Sequence, residues 1–174
     1  MEEVRYPRVT ITADMLSEAR VWARRVEMQR TKTSSIDALV GVLGEISFAE
    51  FLFGDWHKHQ LGANKGKADF DTIEVKASAF PFSSRLHLLV REDYAHSRKP
   101  MCYVQVILDV PSESRDVQVN TNAVLCGYAT AAEVDAAPLK DFGSKLGGRG
   151  SHGGYRCRYI PLTQLHPIQE LRLV

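Results

Sequence analysis

The hydrophobic period of the chain shifts from mainly helical to mainly strand-like near residue 67, and that change restricts the fold class more than any other feature. Before it, Met15, Leu16, Ala19, Trp22, Ala23 and Val26 recur at spacings of three and four, the repeat that places one apolar stripe on an α-helix. A helix is therefore predicted from about 13 to 30, with Arg20, Arg24 and Arg25 on its other face. A second helix is predicted from about 36 to 54, opened by Ser34 or Ser35 as a cap and closed by Gly54, its stripe being Leu39, Val42, Leu43, Ile46, Ala49 and Phe53. After the change, apolar runs bounded by turn residues predict strands at 68–70, 72–78, 85–90, 101–110, 123–129 and 155–160, preceded by one at 4–11. Helices followed by many strands make an α/β chain, a mixed β-sheet flanked by helices. Residues 130–137 suit a short helix, and 162–171 a closing turn or helix around Pro167. The stretch 143–154, with six glycines in twelve residues, reads as a loop.

No internal repeat or low-complexity linker divides the chain, so a single domain over 1–174 is expected. A chain of 174 residues, 44% of them hydrophobic, buries roughly two-thirds of its unfolded surface without needing a disulfide or a structural metal. No apolar run approaches the roughly 18 residues of a membrane span. The start, MEEVRYPRVT, lacks the basic opening and apolar core of a signal peptide. A cytoplasmic location without membrane contact is expected. Cys102, Cys126 and Cys157 form no CxxC pair, which predicts reduced thiols rather than a disulfide framework or a thiolate zinc site.

Chemistry concentrates at two places. On the second helix, a wheel of 100° per residue puts Glu50 inside the apolar stripe and Glu45 at its edge; the ordinary reading is a solvated flank and a paired acid. On the strand after residue 72, Glu74 and Lys76 flank Val75 and, two residues apart, share a face. If Asp71 and Thr72 form a two-residue turn, residue 70 pairs with 73, and Asp69 lies across from Glu74 with Cβ atoms about 5 Å apart. A longer loop would put Asp71 in contention with Asp69. Two carboxylates at that separation repel unless a cation lies between them, and hard oxygen ligands with spare water positions suit Mg²⁺. The competing reading is an exposed Glu74–Lys76 ion pair of little energetic consequence.

Asp69, followed by Glu74-Val75-Lys76 and preceded by Gly44-Glu45 on a helix, resembles the PD-(D/E)xK nuclease superfamily, the restriction-endonuclease-like fold. The later layout is similar to a phage and bacterial branch of such nucleases over about residues 40–168. The resemblance implies a catalytic set of Glu45, Asp69, Glu74 and Lys76, with Asp69, Glu74 and the Val75 carbonyl as ligands for Mg²⁺ or Mn²⁺ and Lys76 beside the attacking water. It implies a DNA-cleaving hydrolase, endonuclease or exonuclease, with DNA as partner and a second copy of the chain as a candidate partner. Three departures stand out: Asp69 and Glu74-Val75-Lys76 are closer together than in most members, only residues 91–99 are available for the helix after the third strand, and Ala68 replaces the family proline. A non-catalytic DNA-binding or assembly protein on the same fold is the alternative.

Other motifs rank lower. His57-x-His59 lacks a third ligand at zinc spacing, His152 and Cys157 lack an orienting partner for thiol chemistry, and the glycine stretch lacks GxxxxGK[ST]. Gln105 is expected on a strand bordering the site. Residues 140–160 carry Lys140, Lys145, Arg149, Arg156 and Arg158 against Asp141 alone, a basic segment suited to phosphates.

Overall fold

A computed structural model describes residues 5–29, 35–61, 69–70, 72–92, 99–112, 116–141 and 156–171. Strand β1 (Arg8–Thr10) leads into helix α1 (Ala13–Gln29), where the Thr12 hydroxyl accepts a hydrogen bond from the Met15 N–H at 3.2 Å. Met15, Leu16, Ala19 and Ala23 are buried, as the spacing requires, and Arg20, Arg24 and Arg25 are exposed. Helix α2 (Ser35–Phe53) stops at Gly54, whose φ of +68° is the left-handed conformation that glycine adopts without penalty.

The stripe expected on α2 is too narrow. Val40, Ser47 and Phe48 are buried beside Val42, Leu43, Ile46 and Ala49, whereas Leu39 and Phe53 are only partly covered. The reason is layering, since α2 packs against α1 and also against the sheet, and a helix covered on more than one side is apolar over most of its circumference. At Gly44 the helix backbone sits directly on a strand, where an added Cβ would lie 2.5 Å from the Ala77 Cβ.

The strands form two sheets. β2 (Ile73–Phe80), β4 (Cys102–Asp109), β5 (Asn122–Thr130) and β1 make a four-stranded mixed sheet in the order β1-β5-β4-β2; its one parallel pair is β2 with β4. β3 (His87–Arg91), β6 (Leu139–Asp141) and β7 (Arg156–Pro161) make an antiparallel sheet in the order β3-β7-β6. A short helix, α3 (Ala131–Ala136), follows β5 and is closed at its start by a reciprocal Thr130–Glu133 capping box. Residues 162–171 hold two 3-10 turns. Of the strand expected at 68–70, Ala68 lies outside the described residues and Phe70 forms a bridge, and β6, only three residues long, had no distinct sequence signal.

Alternation along β2 and β4 sends side chains to two cores. Ile73, Val75, Val104, Val106 and Leu108 meet α1 and α2. Tyr103 and Ile107 meet Leu88, Val90, Val134 and Leu162 on the other face. The mixed sheet is thus the middle layer, with helices on one side and β3 with α3 on the other.

Candidate functional site

The described residues of segment 69–76 carry the strand pairing expected from the sequence. Phe70 and Ile73 exchange both backbone hydrogen bonds, at 2.9 and 2.8 Å, which sets Asp69 opposite Glu74; Asp71 lies outside the described residues. Beyond this pair the Asp69 side chain takes over, and its Oδ2 accepts the Val75 N–H at 2.9 Å. The N–H and C=O of one strand residue point to the same side. Because Thr72 bonds toward β4 through Met101 while Ile73 bonds away from it, the Val75 carbonyl faces the same edge as the Asp69 carboxylate.

Glu74 and Lys76 point to the face opposite α2. The Lys76 Nζ lies 3.7 Å from Glu74 Oε1, with side chains 25% and 27% exposed, so this pair is more sheltered than the surface ion pair of the competing reading. Burial pushes the Glu74 carboxyl above the usual carboxylate range and the neighbouring Asp69 charge adds to the rise. The Lys76 ammonium and the Asp69 backbone N–H oppose it without cancelling it. A carboxyl raised first by burial and then by a second carboxylate is the electrostatic condition that a bound cation relieves.

Parallel pairing sets Tyr103 beside Glu74 and Gln105 beside Lys76. Gln105 is 2% exposed and its Nε2 donates to the Val106 carbonyl at 3.0 Å, where the β4–β5 register slips opposite Gly127. Gly127 has φ +130°, and a Cβ there would come within 2.5 Å of the His166 carbonyl oxygen, so only glycine fits. Tyr103 is a neighbour that the sequence did not reveal, because nothing local encodes which strand pairs with β2. Its phenol is pushed up by burial, then by Asp135 and Glu74.

Of the two helix acids, Glu50 is engaged elsewhere. Glu50 Oε2 accepts the Trp56 backbone N–H at 2.8 Å, a structural clasp between α2 and the 3-10 turn Trp56–Lys58. Glu45 follows Gly44 on the helix layered against the opposite face of β2, and its Oε2 is buried. Among the described residues, no group of three or more His, Cys, Asp and Glu side chains gathers closely enough to hold an ion. Asp69, Glu74 and Lys76 are brought together; Glu45 is not shown joining them.

The remaining motifs are accounted for differently. His57 is held by Asp55 Oδ1 at 2.8 Å and His59 lies 3.4 Å from Glu18, so the HxH pair serves the turn after α2. The three cysteines are buried and form no disulfide, and burial pushes the Cys102 and Cys126 thiols up to about 11 and about 12. Of the basic segment, Lys140, Arg156 and Arg158 are described, and Arg158 donates to the Ala137 carbonyl at 2.7 Å. Lys145, Arg149 and His152 lie outside the described residues, as do Lys65 and Lys67.

Comparison with protein-family models, curated proteins and solved structures finds no match to this chain. No helix among the described residues is long and apolar enough to cross a membrane.

Proposed function

We propose that the chain is a metal-dependent deoxyribonuclease of the restriction-endonuclease-like type, with Asp69, Glu74 and Lys76 as its working group. The observation that carries this reading is the sheltered Asp69–Glu74 carboxylate pair, one member raised in pKa and held 3.7 Å from a lysine. Two carboxylates and the Val75 carbonyl form a hard-oxygen set that fits Mg²⁺ or Mn²⁺, which take few protein ligands and keep several waters. Such an ion supplies Lewis acidity and lowers the pKa of bound water.

The chain's own residues then have distinct tasks. Asp69 is fixed by the Val75 N–H, which leaves its other oxygen directed by the turn rather than by a free rotor. Glu74 must be ionised to act as a ligand. Lys76, on the same strand face, supplies positive charge where a phosphodiester gains negative charge as water adds to phosphorus and the P–O bond breaks. Gln105, packed beside Lys76 in the register, limits where that side chain can settle. Glu45 remains a proposed fourth acid, approaching from the helix layer.

The test is a panel of linear, circular, single-stranded and branched DNA with Mg²⁺ or Mn²⁺, each arm repeated with EDTA. Cleavage that EDTA abolishes and Lys76→Ala lowers, with DNA binding retained, supports the reading. Tight DNA binding with no cleavage of any substrate assigns the chain to the non-catalytic alternative.

A further inference from the structure

Both tryptophans of the chain, Trp22 and Trp56, line one open cavity of about 490 Å³, together with Asp14, Glu18, Arg25 and His57. It lies between α1 and the turn after α2, apart from Glu74 and Lys76, and its chemistry does not depend on the nuclease reading. The aromatic walls are held in place by the two histidines of the turn. His57 stacks on Trp56 with centroids 3.9 Å apart and is anchored by Asp55, while His59 meets Trp22 edge-on at 5.9 Å and contacts Glu18.

Charge selects the ligand class. Asp14 is exposed and makes no ion pair with any described residue, and two carboxylates face one guanidinium in the lining. Phosphates and carboxylates are disfavoured there, whereas tryptophan faces attract cations through the ring quadrupole. The chain already displays the preferred geometry, since the Arg25 guanidinium lies 4.6 Å from the Trp22 ring centroid.

We propose that this cavity binds a guanidinium-bearing organic cation, with Arg25 as an internal competitor for the Trp22 face. The guanidinium can belong to a free small molecule or to an arginine of a peptide. Because both tryptophans line the cavity, the intrinsic fluorescence of the full chain reports on it directly.

Titration with N-acetyl-arginine amide is expected to give a saturable fluorescence change, and its neutral isostere N-acetyl-citrulline amide none. Arg25→Ala should tighten binding and Asp14→Asn weaken it, each by about fivefold if one exposed cation interaction is gained or lost. A Gly-Gly-Arg-Gly-Gly amide separates the sources: saturation by the single amino-acid amide at similar concentration identifies a free ligand, and saturation by the pentapeptide alone identifies a peptide-borne one. Equal response to citrulline, indifference to Asp14→Asn, or no saturable change in both the wild type and Arg25→Ala overturns the proposal.

Discussion

The two faces of strand β2 belong to one backbone and have opposite requirements. Toward the helices, Ile73, Val75 and Ala77 accept α2 so closely that Gly44 has no room for a side chain. Toward the other layer, Glu74 and Lys76 hold charge in a partly covered position where the carboxyl is pushed toward its protonated form. One face contributes stability through apolar burial; the other is electrostatically strained unless a ligand offsets it. The faces are linked through the hairpin, because Phe48 of α2 packs edge-on against Phe70 at 5.1 Å, next to Asp69.

Changes on the helix face should alter stability, and changes on the charged face should alter chemistry. The largest effect is expected for Phe48→Ala, a fully buried side chain. Its loss should cost about 3–5 kcal/mol in urea or thermal unfolding, and by freeing Phe70 it should also blunt any Asp69-dependent cleavage. Lys76→Ala should lower cleavage about a hundredfold, close to 2.7 kcal/mol at the barrier, with DNA binding within a few-fold of wild type and the melting temperature nearly unchanged. Unchanged cleavage would reduce Glu74 and Lys76 to a structural ion pair. Gly44→Ala should cost about 1–3 kcal/mol through the clash with Ala77, measurable as a lower Tm without loss of Mg²⁺ binding.

Smaller effects separate the acids. Glu50→Gln should cost about 1 kcal/mol by weakening the charge-assisted bond to the Trp56 N–H, with cleavage intact once folded; a cleavage defect in a stable variant would move Glu50 into the site. Glu74→Gln tests the strain directly. A carboxyl whose folded pKa lies above its unfolded value holds its proton more tightly in the folded chain, so its stability contribution is complete below the unfolded pKa and is lost as pH rises through the folded pKa. Without divalent ions, Glu74→Gln should therefore raise Tm at neutral pH, and the gain should vanish in acid where Glu74 is protonated. A Tm that falls at neutral pH would mean that the Lys76 pair outweighs burial.

Much of this was legible because it is local. The three-and-four spacing of Met15, Leu16, Ala19 and Ala23 marks α1, Gly54 marks the end of α2, and the Asp69–Lys76 spacing gives the Phe70–Ile73 pairing and the shared face of Glu74 and Lys76. Periodicity and turn closure depend on neighbours within a few residues, so the sequence alone determines them. The breadth of the α2 core was not legible, because α2 is covered by both a second helix and the sheet, and Phe48 becomes interior against Phe70 of the hairpin.

Long-range pairing was decided by the tertiary structure alone. That β2 lies parallel to β4, with Tyr103 beside Glu74 and Gln105 beside Lys76, depends on which strands meet across more than twenty-five residues of chain. Nothing in the sequence of β2 specifies its neighbour. The same holds for Glu50: the helical wheel puts it inside the apolar stripe, and only the packing of α2 against the following turn gives it the Trp56 N–H as a partner. Sequence thus determines which groups can share a face, since that is a property of backbone repeat. Which faces meet is settled by the layering that buries the most apolar surface while leaving backbone hydrogen bonds paired.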